Sequence, residues 1–94
     1  MAHHDLKCRQ DYYVEVIAGR KTFEVRRDDR AFAVGDTVRL HEVIWASCDC
    51  GKTIVVSTGR SSQLFEIASK VDGGEFGIAH GYCVIGLFTT CLFP

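Results

Sequence analysis

The hydrophobic period of this chain changes at Gly19. Before it, Tyr12, Tyr13, Val16 and Ile17 recur at helical spacing. After it, apolar and polar residues alternate as they do on half-buried strands, beginning with Thr22-Phe23-Glu24-Val25-Arg26-Arg27. One short helix followed by strands leaves few architectures, because the helix must bury its apolar stripe on the sheet that those strands form. The helix is expected to run about two turns. Asp11 is its capping side chain, Tyr13, Val16 and Ile17 turn inward, and Gly19 is the natural residue past its end. Arg20 and Lys21 follow, where cations complement the partial negative charge of a helix C-terminus.

The strand pattern can be followed to the last residues. Leu6 to Cys8 reads as a short first strand, and Thr22 to Arg27 as a second, with Phe23 and Val25 packing while Thr22, Glu24 and Arg26 present charge. Asp28-Asp29-Arg30 and Val34-Gly35-Asp36 are turns that deliver the chain into a strand from Thr37 to Val43. Ile44 to Lys52 reads as a longer loop or irregular hairpin. Thr53 to Ser57 is strand-like, Thr58-Gly59-Arg60 turns it, and Gln63 to Ser69 returns. Val71 to Gly77, with three glycines, is a loop, and Gly81 to Phe88 a final strand. The fold class expected is α+β, mainly β: a small barrel of five or six strands with one main N-terminal helix, in a single domain spanning residues 1–94.

Composition narrows the function classes. At 94 residues with 47% hydrophobic content the chain builds a small core, and a formal charge of −1 does not mark a whole-molecule polyanion binder. A basic site must be local: Arg20, Lys21, Arg26, Arg27 and Arg30 lie close together in sequence against Glu24, Asp28 and Asp29, with Lys7 and Arg9 upstream. The five cysteines, Cys8, Cys48, Cys50, Cys83 and Cys91, are an odd number without the spacing of a disulfide framework, and read as thiols in a reducing cytosol. Cys48-Asp49-Cys50 is not a C-x-x-C knuckle and brings no second pair of ligands, so no metal and no cofactor is expected. There is no apolar signal segment and no run of about 20 apolar residues, so the expected location is the cytoplasm. Cys91, Leu92 and Phe93 form an apolar tail that calls for a partner, within the fold or in a homodimer.

Gly19 to Arg26 resembles the G-x-K-x-x-E-x-R motif of the ASCH domain, a relative of the PUA domain, and His4-Asp5-Leu6-Lys7 precedes it as H-x-L-K. Asp28 to Asp36, Thr58-Gly59-Arg60 and Gly77 to Ile85 are similar, in order, to further landmarks of a small bacterial and phage branch of ASCH-like proteins. The likeness spans nearly the whole chain apart from roughly Ile44 to Ser57. It implies a PUA-like barrel with a cleft between barrel and helix, lined by this motif. It also implies RNA or a nucleotide-like ligand, with Lys and Arg for phosphate and Glu for an amino group on a base edge.

The candidate ligand-binding residues are therefore His4, Lys7, Lys21, Glu24, Arg26, Arg27, Arg30, Arg60 and Tyr82. Tyr13, Phe76 and Tyr82 serve either as stacking surfaces or as core. An alternative follows from relatives that are amidohydrolases acting on 4-acetylcytidine. These carry K-x-x-T, whereas the fourth position here is Glu24, so Lys21 and Glu24 would be the catalytic pair without an assigned nucleophile. Thr22 stands nearby, and Glu66 or Glu75 would supply a later acid. A third reading is a protein-interaction module. Strict alternation places Lys21 and Glu24 on opposite faces, unless the start of the strand does not yet obey it.

Overall fold

The computed structural model describes the backbone of residues 1–47 and 53–89, and the side chains of these residues outside 45–61. The elements are β1 (His3–Arg9), α1 (Gln10–Ile17), β2 (Phe23–Arg27), β3 (Thr37–Ser47), β4 (Thr53–Asp72) and β5 (Tyr82–Thr89). They form one five-stranded sheet in the order β1-β3-β4-β5-β2. β1 runs parallel to β3, and the other neighbours are antiparallel. The protein is a small, mainly β, α+β fold: a half-barrel with one helix.

The concave face holds the core. It is filled by Leu6 and Cys8 from β1, Val38 and Leu40 from β3, Phe65 and Ile67 from β4, and Cys83 and Ile85 from β5. Tyr13 and Val16 of α1 and Phe32 of the segment between β2 and β3 complete it. Ile17, expected inside, is half exposed. The helix starts two residues earlier than predicted, behind Arg9 rather than Asp11, and no side chain caps it; Asp11 lies in its first turn and pairs with Arg9 at 2.8 Å. Gly19 ends the helix as expected, with φ +80° and its N–H donating to the Val16 carbonyl at 3.1 Å.

The first part of the segment read as a longer loop or irregular hairpin, and the turn expected at Thr58-Gly59-Arg60, are strand in the structure. β3 continues through Ile44 to Ser47, and Thr58-Gly59-Arg60 lies inside the unbroken 20-residue β4. The reason is a bulge. Between the pairs His41–Ser62 and Val43–Ser57, β3 advances two residues while β4 advances five. The surplus carries Gly59, a residue as suited to a bulge as to a turn. A second bulge at Ala68 separates Ile67–Leu87 from Ser69–Gly86.

β1 and β2 are the two edges of the sheet, and arginines bridge between them. Arg26 donates from Nη2 to the Lys7 carbonyl, and Arg30 from Nη1 to the Asp5 carbonyl at 2.8 Å. These carbonyls are two residues apart and so point the same way along the β1 edge. Below them, buried His4 donates from Nε2 to Asp36 Oδ2 at 2.9 Å and meets Phe32 edge-on at 4.7 Å. Asp36 also accepts from the Ala2 and Ala33 amides at 3.0 and 3.1 Å.

This anchor predicts a pH dependence. The His4 hydrogen bond, then that of the Ala2 amide, holds the Asp36 carboxyl down at about 2, against about 3.9 in an unfolded chain. A carboxyl depressed by folding contributes stability that is complete above its unfolded value and disappears as pH falls through its folded one. Melting temperature should therefore fall between pH 4 and pH 2, and Asp36→Asn should flatten that part of the profile. An Asp36→Asn profile parallel to that of the wild type would exclude Asp36 as the cause.

Candidate functional site

β2 carries the site, and its faces are the reverse of the expected ones. Glu24 is 6% exposed and points into the half-barrel, while Phe23 and Val25 are 44% and 55% exposed on the convex side. Register explains the choice. Glu24 and Arg26 lie opposite buried Ile85 and Cys83, while Phe23, Val25 and Arg27 lie opposite Gly86, Val84 and Tyr82. Alternation alone sorts the residues into two faces without naming the inner one.

Lys21 joins the inner group because it precedes β2, where the alternation has not begun. The amides of Arg20 and Lys21 both donate to the Glu15 carbonyl, at 3.0 and 3.1 Å, which folds the chain back over the helix end. From there Lys21 Nζ donates to Glu24 Oε1 at 2.6 Å and to the Phe23 carbonyl at 2.7 Å. Arg26 Nε stands 3.3 Å from Glu24 Oε2, a charge contact without hydrogen-bond alignment, and among the described residues this buried Nε has no hydrogen-bond partner. Glu24 is thus a buried carboxylate between two cations.

The cluster opens on an open-mouthed concavity of about 470 Å³ lined by Tyr12, Lys21, Phe23, Glu24 and Val25. Tyr12 and Phe23 form aromatic walls, and Lys21 Nζ lies 5.4 and 4.9 Å from their ring centres. Arg9 also lies over the Tyr12 ring, at 5.0 Å from its centre. Neither ring was singled out for a site from sequence. Tyr12 is one helical position from buried Tyr13, and Phe23 read as core. The signal that would have found them is the wrong-way β2, which turns an apolar pair outward beside a lysine.

No serine, threonine or cysteine side chain lines the concavity. Cys8 approaches Glu24 with a 3.9 Å S–H contact, but burial, and then the Glu24 charge, push its thiol up to about 11, so it stays protonated at neutral pH. Thr22 is exposed, and neither Glu66 nor Glu75 lines the concavity.

Of the residues expected at one site, the structure gathers Lys21, Glu24 and Arg26. His4 is a buried structural histidine tied to Asp36. Lys7 points its side chain to the exposed face of β1, opposite in sense to buried Leu6 and Cys8, and only its carbonyl takes part, through Arg26. Arg30 is likewise spent on the β1 edge. Arg27 and Tyr82 stack together on the convex face, at 5.9 Å. Tyr13 is core. The Arg60 side chain, the Cys48 to Cys50 segment and the Cys91 to Phe93 tail lie outside the described residues. Among the described residues no group of His, Cys, Asp and Glu is arranged to hold a metal ion, and no helix is long and apolar enough to cross a membrane.

Fold and site together define a small half-barrel with a charged, aromatic-walled concavity where its helix meets an edge strand. The chain belongs to the family described as Domain of unknown function (DUF3850), whose model matches residues 3–87. No curated protein matches it.

Proposed function

We propose that this chain is an ASCH-like, cytoplasmic protein that binds RNA or a nucleotide-like ligand in the Lys21–Glu24 concavity. The observation that carries the reading is the buried Glu24 carboxylate, held between Lys21 and Arg26 at the wall of a concavity flanked by Tyr12 and Phe23. Two rings with a cation beside each offer a base its stacking partners. A fixed carboxylate accepts from an exocyclic amino group, and the lysine takes a phosphate oxygen. The resemblance of Gly19 to Arg26 to the ASCH motif points to the same ligand class.

A second reading, hydrolysis of a modified nucleoside such as 4-acetylcytidine, draws on the 2.6 Å contact of Lys21 and Glu24. With no serine, threonine or cysteine side chain lining the concavity, water would be the nucleophile, activated by that pair. Binding needs fewer groups than this, and the cations, carboxylate and rings of the concavity support it, so it is the reading we favour.

The test is fluorescence anisotropy with a mixed pool of short single-stranded RNA at 50 and 200 mM salt. The wild type should bind roughly 10-fold more weakly at the higher salt, as expected for two or three phosphate contacts. Lys21→Ala should lose about 10-fold or more at the lower salt, and Glu24→Gln should change base preference. No binding by the wild type at 50 mM salt would rule out the RNA reading and send the protein to a deacetylation assay.

A further inference from the structure

Beyond the concavity, the convex face carries apolar surface that the core does not use. Val25, Phe76, Ile78, Tyr82 and Val84 line a second, mostly apolar depression of about 360 Å³. It shares Val25 with the first concavity, so the two adjoin across β2. We propose that Phe76 and Tyr82 form a second base-stacking subsite, and that the ligand is therefore single-stranded nucleic acid long enough to reach both sites. This rests on the nucleic-acid reading above and extends it.

Phe76 is the first reason. The residue is 90% exposed and its backbone sits at φ +52°, so the fold places a phenyl ring in water on a conformation that disfavours it. The surrounding turn holds it there. Gly74 N–H donates to the Ile78 carbonyl at 2.7 Å, Ile78 N–H to that of Glu75 at 2.8 Å, and Tyr82 N–H to that of Ala79 at 3.1 Å. The His80 ring lies so close to Gly74 that a Cβ there would meet it at 2.8 Å. Neither the strain nor the exposure benefits packing, whereas a ring presented on a fixed turn suits stacking.

Charge is the second reason, and it selects the partner. Arg27 lies over Tyr82 and makes no hydrogen bond or ion pair among the described residues. Its neighbour Asp28 is already held by Lys70 at 3.0 Å. All the cation–ring contacts described fall on Tyr12, Phe23 and Tyr82, in one run from α1 across β2 to β5. Aromatic faces interleaved with cations, one of them uncompensated, match a polyanion with bases. An apolar peptide would leave the Arg27 charge unanswered.

Spacing is the third. Phe23 and Arg27, the residue opposite Tyr82, are four positions apart on β2, about 13 Å at 3.3 Å per residue. A stacked strand covers that in about four nucleotides at roughly 3.4 Å each. A dinucleotide cannot bridge it.

The experiment compares a labelled single-stranded RNA octamer with a dinucleotide competitor on the full chain and on Phe76→Ala, Phe76→Gly and Tyr82→Ala, with a thermal melt of each. Each variant should weaken octamer binding about 5- to 100-fold and leave dinucleotide competition within about twofold. Phe76→Gly should also melt at or above the wild-type temperature, since glycine relieves the positive φ. That would separate loss of binding from loss of structure. Octamer affinity unchanged in Phe76→Ala and Tyr82→Ala, but lost in Lys21→Ala, would overturn the second subsite and leave the first reading standing. Failure of the wild type to bind the octamer would remove both. A wild-type dimer in sedimentation that Phe76→Ala dissociates, without any effect on RNA, would assign the face to self-association instead.

Discussion

Glu24→Ala is expected to lower the melting temperature by roughly 10–25 °C, the equivalent of about 2–4 kcal/mol in a domain of this size. The carboxylate is enclosed by Lys21 and Arg26, whose side chains are 18% and 23% exposed. Removing the anion leaves two partly desolvated cations facing each other across a cavity. A fully buried pair broken in this way costs about 3–5 kcal/mol, and the access of water to both cations reduces the figure here. Lys21 keeps the Phe23 carbonyl and two rings, and Arg26 keeps the Lys7 carbonyl, so the native geometry is weakened without being abolished. The double variant Lys21→Met with Glu24→Leu replaces the pair by apolar groups of similar size, and should recover part of the loss, since Arg26 still lacks its carboxylate. It should not recover RNA binding. Thermal unfolding followed by circular dichroism reads the first effect and anisotropy the second. A Glu24→Ala protein melting within about 2 °C of the wild type would mean that the pair is solvated in solution.

That pair shows where sequence reasoning succeeds and where it stops. The single helix, its glycine end, the α+β class and the inward Tyr13 and Val16 could be read from local periodicity, because helix phase and cap chemistry are properties of a few consecutive residues. The grouping of Lys21, Glu24 and Arg26 came from a motif, and the structure closes it through the helix C-terminal hydrogen bonds to Glu15. The facing of β2 was not legible. A five-residue strand with two apolar and three charged positions reads equally well either way up, and its partner β5 offers apolar residues on both faces. Its register against β5 and the closure of the half-barrel, with Arg26 reaching the far edge at Lys7, decide it together. The same long-range closure takes His4 and Arg30 out of the site. Asp36, read as part of a turn, becomes the acceptor that ties His4 down across 32 positions of sequence.

Gly73→Ala tests the convex face from beneath. Gly73 is not among the glycines with a left-handed backbone, so its constraint is steric. A Cβ there would lie 2.2 Å from the Ala79 carbonyl oxygen and 2.5 Å from that of Tyr82. Both obstacles are backbone, and the Ala79 oxygen already accepts the Tyr82 amide, so relief requires the turn itself to move. Overpacking of this kind costs about 1–3 kcal/mol, or roughly 5–20 °C in melting temperature. Gly86→Ala is the control. There the Cβ would stand 2.3 Å from Ser69 Oγ, the end of a short side chain that can turn to another rotamer, and the expected cost is under about 1 kcal/mol. If the turn holds Phe76 and Tyr82 in place for a ligand, Gly73→Ala should also lose octamer affinity to the same extent as Phe76→Ala, while its dinucleotide binding at Lys21 and Glu24 persists. A Gly73→Ala protein that is destabilised yet binds the octamer like the wild type would separate the turn from recognition and place the whole of binding in the Lys21–Glu24 concavity.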